Sequence, residues 1–331
     1  MAKAKKALAP PREELVERLQ RTLGTLIKPD ARIGIAVSGG PDSLALLLLA
    51  AAGRPGLVEA ATVDHGLRDG ARAEAEVVAG VCERLGVPHK ILTIDWPEKP
   101  ETAIQERSRG ERYRLLGDWA RESGLAAIVT AHHADDQAET FLMRLARGAG
   151  VTGLAAIRPW SQGPGAQIAV LRPLLGWRRH ELGQVCADAG VSPAADPSNE
   201  DEQFERVRIR RALAQADWLD PSAISRSAAN LAVADAALHW ATDGEWARAV
   251  ETGSDAIVYR PTDAPLEIRR RVARRSVLLL ATEGAGADLR GPELDRLLQV
   301  LITGGKASLR GVSCSGGSEW RFERAPARRP S

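Results

Sequence analysis

The strongest constraint on this chain is a repeated change of hydrophobic period between residues 31 and 189. Short apolar runs rich in β-branched residues, at 31–37, 58–63, 90–94, 126–131 and 168–171, read as strands. Segments of helical spacing, at 44–52, 69–85, 103–123, 134–146 and 178–189, separate and follow them, and Gly86 and Gly124 stop two of them. Strands joined by helix-length connections pair in parallel through right-handed crossovers. The fold predicted is α/β, a doubly wound parallel sheet. Such a sheet binds ligands outside the carboxyl ends of its strands.

After residue 196 the strand signal fades, and 205–216, 221–246, 266–281 and 291–302 read as helices. A chain of 331 residues exceeds what one core usually serves, so a second, smaller, mainly helical domain is expected. The divisions predicted are 1–24, a basic tail and first helix; 25–217, a catalytic domain; and 218–331, the helical domain. Charge is nearly balanced overall at +2, but 205–331 carries +4 and the remainder −2, so a polyanion suits the second half better. No apolar run approaches the roughly 20 residues that span a bilayer, and the lysine-rich start lacks a signal-peptide core, so no membrane partner is expected. Cys82, Cys186 and Cys314 are too few and too far apart for a disulfide framework or a Cys-x-x-Cys site, which suggests a cytoplasmic protein.

Ser38-Gly39-Gly40-Pro41-Asp42-Ser43 joins the first strand to the first helix of the sheet. Glycines without a Cβ let backbone N–H groups close on an anion, and the helix start adds partial positive charge. The Ser38 and Ser43 hydroxyls are candidate donors to phosphate oxygens. Asp42 is a candidate to hold Mg²⁺ or to cap the helix. A Walker loop is excluded by the missing Gly-Lys-Ser/Thr ending, and the dinucleotide fingerprint does not fit.

Two further clusters fall at strand ends. Asp64-His65-Gly66-Leu67-Arg68 follows the second strand, where an Asx-type turn alone would account for the His-Gly pair. His132-His133-Ala134-Asp135-Asp136-Gln137-Ala138-Glu139-Thr140 follows the fourth. Carboxylates at a helix start favour its dipole. That does not account for two histidines followed by three carboxylates. No His-Glu-x-x-His order points to zinc, and carboxylates beside phosphate oxygens suit Mg²⁺ better.

The glycine loop resembles the PP-loop of the N-type ATP pyrophosphatases. The set of motifs resembles one family of that group, the tRNA(Ile)-lysidine synthases. Besides the loop, Asp64 to Arg68, then Arg109, Arg112 and Tyr113, and the string His132 to Thr140 match it. So do Arg147-Gly148-Ala149-Gly150 with Gly153-Leu154, Asp196-Pro197-Ser198-Asn199, and the arginines Arg206 to Arg210. Val207 departs from the family, which usually has asparagine there.

The resemblance implies ATP as a substrate, with Ser38, Gly39, Gly40, Pro41, Asp42, Ser43, Asp64, His65 and His132 around it. It implies Mg²⁺ near Asp42 and Asp135, the latter serving metal or loop order. Asp42, Asp136, Glu139 and Arg112 are the expected catalytic residues, with Asp136 and Glu139 also binding free L-lysine. Arg206, Arg208 and Arg210 are expected on a tRNA(Ile) whose anticodon begins with cytidine. The arginines at 269–271, 274 and 275 suit a tRNA stem or an ordinary surface helix, and Trp96, Trp160 and Trp177 suit the core. A thiolase of the same group would ordinarily bring paired cysteines, and the cysteines here stand alone; an amidotransferase-type ligase would need a glutaminase domain or an ammonia source, and no N-terminal nucleophile follows Met1.

Overall fold

The computed structural model describes residues 8–66, 70–96, 104–163, 168–194, 205–281, 289 and 291–325. The chain divides into two compact units, Met1–Asn230 and Leu231–Ser331. The division falls within one long helix, α9 (Pro221–Ala249).

In the first unit the described residues form a sheet of six strands in the order β3-β2-β1-β4-β6-β5. The strands are β1 (Ile33–Ala36), β2 (Val58–Asp64), β3 (His89–Thr93), β4 (Ala127–Val129), β5 (Trp160–Gln162) and β6 (Ala169–Leu171). All neighbours are parallel except β5, which runs antiparallel to β6 at the edge. The order reverses at β1, which pairs with β2 on one side and β4 on the other. That is the switch point at which such sheets leave a crevice. Trp160 sits on the edge strand and is half exposed, so its expected place in the core is corrected; Trp177 is buried.

The helices cover the sheet as the apolar pattern dictates. In α2 (Pro41–Gly53) Leu44 to Ala50 are all buried, since α1 (Glu13–Gly24) and α7 (Arg179–Ala189) flank it and β1 and β2 lie beneath. Arg18 of α1 stacks on Trp177 at 4.1 Å and pairs with Glu181 at 2.7 Å, which fixes α1 in place. The other helices of this unit are α3 (Gly70–Leu85), α4 (Ile104–Glu122), α5 (Ala134–Leu145), the single turn α6 (Val151–Leu154) and α8 (Glu205–Gln215). Gly86 (φ +66°) and Gly124 (φ +63°) end α3 and α4 in the left-handed conformation that favours glycine.

The second unit has α10 (Leu266–Leu280) and α11 (Gly291–Ile302), as the helical reading expects, and also an antiparallel sheet. Its order is β7-β8-β11-β10-β9, from β7 (Val250–Thr252), β8 (Ala256–Tyr259), β9 (Lys306–Leu309), β10 (Val312–Ser315) and β11 (Trp320–Arg324). Each strand is short, and β10 and β11 bury one face only: Val312, Cys314, Trp320 and Phe322 are buried, while Ser313 and Arg321 are exposed. Half-apolar strands of three to five residues give a weak signal.

Candidate active site

The glycine loop leaves the carboxyl end of β1 and turns at Gly39, whose φ of +87° favours glycine. Gly40 caps α2 without a side chain, and Pro41 occupies the first helical turn. The loop is tied internally. The Ser38 N–H donates to Ser43 Oγ at 3.1 Å, Ser43 Oγ donates to Gly40 O at 3.0 Å, and the two serine hydroxyls lie 3.2 Å apart. The amide of Ala194 donates to Gly39 O at 3.0 Å, and Cys186 Sγ meets Pro41 O at 3.2 Å from behind. Burial and the nearby Asp42 carboxylate push the Cys186 thiol up to about 11.

Asp42 does not cap α2. Its Oδ2 lies 3.4 Å from His133 Nε2, across from the start of α5, while its buried Oδ1 has no hydrogen-bond partner among the described residues. An orphaned carboxylate oxygen beside an anion-binding loop is a natural ligand for a cation that the anion brings with it.

The second edge of the crevice is the start of α5. His133 is its N-cap, with Nδ1 turned to the amides of Asp135 (3.2 Å) and Asp136 (3.4 Å). Asp136 Oδ2 accepts the His133 amide at 3.1 Å, closing a capping box. Burial alone lowers the pKa of His133, but Asp135, Asp42 and Asp136 lie within 3.6 Å and outweigh it, raising the value to about 10. His132 responds oppositely. Burial, with Arg172, Arg109 and Arg206 nearby, lowers it to about 4 against the opposing pull of Asp136. Its Nδ1 is 2.9 Å from Thr130 Oγ1.

Asp135 is held by Arg178, with Nη2 to Oδ1 at 3.2 Å and Nε to Oδ2 at 3.3 Å, and by the amide of Arg179 at 2.8 Å. Burial raises its pKa; those donors and His133 together take it well below the usual carboxylate range. Of the two roles expected for Asp135, loop order accounts for all of these contacts. Glu139 is 2% exposed and faces α8. Arg210 Nε donates to Oε1 at 2.6 Å, and Arg206 Nε lies 3.2 Å from Oε2. Two residues predicted for tRNA thus meet one predicted for lysine; Arg208 is exposed on the same helix. Val207 is buried, so the apolar departure from the family occupies an inward position.

At the end of β2, Asp64 is buried and its Oδ1 accepts the Gly66 amide at 2.9 Å, the Asx turn allowed by the sequence. Arg112 of α4 donates to His65 Nε2 at 3.0 Å. The motif residues Leu67, Arg68 and Asp196 to Asn199 lie outside the described residues. The glycine motif after α5 is structural. Gln137 exchanges two hydrogen bonds with the backbone of Ile157, at 2.7 and 2.8 Å, and Arg144 donates to Gly153 O and Ala156 O. Sequence reading missed Arg172, at the carboxyl end of β6 beside His132, and Arg178, which orders Asp135. An arginine at the end of a buried strand was the available signal for Arg172. Among the described residues no group of three or more His, Cys, Asp or Glu side chains is arranged to hold a metal ion unaided.

The fold and crevice define a class. Residues 11–217 match the family described as the PP-loop domain. A U34-tRNA thiolase from Methanococcus maripaludis shares the fold at 17% identity, with a TM-score of 0.55 over 66% of this chain and 77% of that one. A tRNA(Ile)-lysidine synthase of Novosphingobium aromaticivorans is 48% identical over 92% of both chains. One of Zymomonas mobilis is 43% identical over 92% of both. The chain belongs to the tRNA(Ile)-lysidine synthase family.

Proposed function

We propose that the protein ligates free L-lysine to carbon 2 of the first-anticodon cytidine of tRNA(Ile), with ATP cleaved to AMP and pyrophosphate. The observation that carries this reading, beside the family, is the junction of the glycine loop with the start of α5 through the 3.4 Å contact of Asp42 with His133. It brings a phosphate cradle and a set of carboxylates to one crevice. Among the described residues no helix is long and apolar enough to cross a membrane, and a cytoplasmic location is part of the proposal.

In the first step the cytidine carbon-2 oxygen attacks the ATP α-phosphorus. A P–O bond forms, the bond to the β-phosphate oxygen breaks, and pyrophosphate leaves. The loop N–H groups and the start of α2 orient the phosphates. Asp42, through its unpaired Oδ1, would hold Mg²⁺, which when bound neutralises phosphate charge. His65, held by Arg112, and His132, kept neutral, are the contacts proposed for the nucleotide.

In the second step the lysine side-chain amine attacks carbon 2 and AMP leaves with the oxygen. The ammonium, with a reference pKa of roughly 10.4, must first give up a proton. Asp136 and Glu139 are the acceptors proposed. The ion pairs of Glu139 with Arg206 and Arg210 support this reading, in which the lysine ammonium replaces a guanidinium there. Incubation with ATP, labelled lysine and bacterial tRNA, followed by nucleoside analysis, tests the reading. Lysidine is the expected product, and pyrophosphate release without lysine incorporation into any nucleoside would refute it.

A further inference from the structure

Trp218 exposes 79% of its surface, although an indole is among the largest hydrophobic contributions available to a core. It stands in the turn between α8 and α9, and that turn is well fixed. The amide of Ala216 donates to Leu213 O at 3.2 Å, and that of Leu219 to Ala216 O at 3.0 Å. Asp220 accepts the amides of Ser222 at 2.9 Å and Ala223 at 3.2 Å, holding the first turn of α9. The same carboxylate accepts Arg178 Nη1 at 3.3 Å, and Arg178 reaches Asp135 with Nη2 at 3.2 Å. Ser225 Oγ donates to Leu175 O at 3.0 Å. One arginine therefore links the turn to the start of α5. Trp218 is two residues from Asp220, or about 7 Å of extended chain.

The turn itself carries Asp217 and Asp220, and arginines lie on the helices either side of it: Arg206, Arg208, Arg210 and Arg211 on α8, which leads into the turn, and Arg226 on α9, 4.0 Å from Asp220. An exposed aromatic face held on a fixed turn between arginine-bearing helices is a combination on which unpaired nucleobases stack. Trp240 gives the contrast. It is 81% exposed, but its neighbours on α9 are Ala236, Ala237, Asp243 and Gly244, with no arginine among them.

We propose that Trp218 is a stacking platform for an unpaired base of the RNA substrate, next to the nucleotide that reacts. This rests on the proposed function only for the identity of the RNA. Binding of tRNA, measured by fluorescence anisotropy without turnover, tests it with Trp218→Ala, Trp218→Leu and Trp218→Phe. Base–aromatic stacking predicts that Trp218→Ala and Trp218→Leu each weaken binding roughly 5- to 150-fold, while Trp218→Phe retains most of it. The KM for lysine, thermal stability and affinity for a fully paired RNA duplex should not change. Wild-type affinity in Trp218→Ala, or in Trp218→Leu, overturns the proposal. So does a change of oligomeric state in Trp218→Ala with RNA binding intact, which would assign the indole to a protein contact. A wild-type protein that binds tRNA but makes no lysidine would refute the functional reading and leave this one standing.

Discussion

Both units bury charge, but they treat it differently. In the second unit the buried groups complete one another. Glu245 accepts hydrogen bonds from Tyr259 Oη at 2.8 Å and from Thr262 Oγ1 at 2.9 and 3.0 Å. Arg271 pairs with Asp235 at 2.7 Å and Glu267 at 2.8 Å. In the first unit an oxygen of Asp42 is left without a partner, and adjacent histidines are driven in opposite directions. Buried charge that is fully paired holds a structure together, whereas incompletely paired charge costs stability and is kept where a ligand supplies the missing contact.

The largest effect should come from breaking the complete pair. Arg271→Ala leaves Asp235 buried without its guanidinium and should cost about 3–5 kcal/mol in urea unfolding of the second unit. Next, Asp42→Asn should slow pyrophosphate release by about 10²–10³-fold, the scale of losing one charge-stabilising group in a reaction centre. Its unfolding midpoint should fall by much less than that of Arg271→Ala, because only the contact with His133 is weakened. A stability loss as large as that of Arg271→Ala would erase the distinction between the two units.

Glu139→Gln sharpens the comparison inside the reaction centre. Glutamine keeps the shape but neither neutralises an ammonium nor takes its proton. Adenylated tRNA should still accumulate without lysine on a gel, while lysine incorporation falls about tenfold or more. Loss of the adenylate as well would move Glu139 to the first step. The smallest effect concerns pH. His133 has its folded pKa raised to about 10 from an ordinary 6.5, so its contribution is complete below about 6.5 and is lost as pH rises toward 10. Denaturant titrations should show the first unit losing stability as pH rises through this range, and His133→Gln should lack that slope.

The α/β core was legible because its strands are short apolar runs, and β1, β2 and β4 end in a glycine loop, an Asx turn and a helix cap. The β4–α5 junction was legible because its polar residues are contiguous. Other features were not, among them Arg172, Arg178 and the antiparallel edge strand β5. The pairing of Glu139 with Arg206 and Arg210 joins positions on separate helices, and nothing local in either helix announces the other. The second sheet was hidden by strands that interleave serine with apolar residues, although the alternation from Trp320 to Glu323 was there to be read. Val207 reads as a departure from the family in sequence and as an inward-facing helix position in space.

The sheet order has a consequence for how the molecule comes into being. β1 sits between β2 and β4, with Ile33 opposite Val58 on one side and Ala127 on the other. During synthesis, the β1–β2 pair becomes available early, but the edge of β1 that receives β4 stays open until residue 127 has left the ribosome. At about 5–20 residues per second, that leaves an unsatisfied, strongly apolar strand edge for several seconds. The Asp42–His133 contact spans the same gap, so the crevice is completed only when the open edge closes. Conditions that slow translation between residues 64 and 127 should therefore lengthen exposure of that edge to chaperones and to other nascent chains.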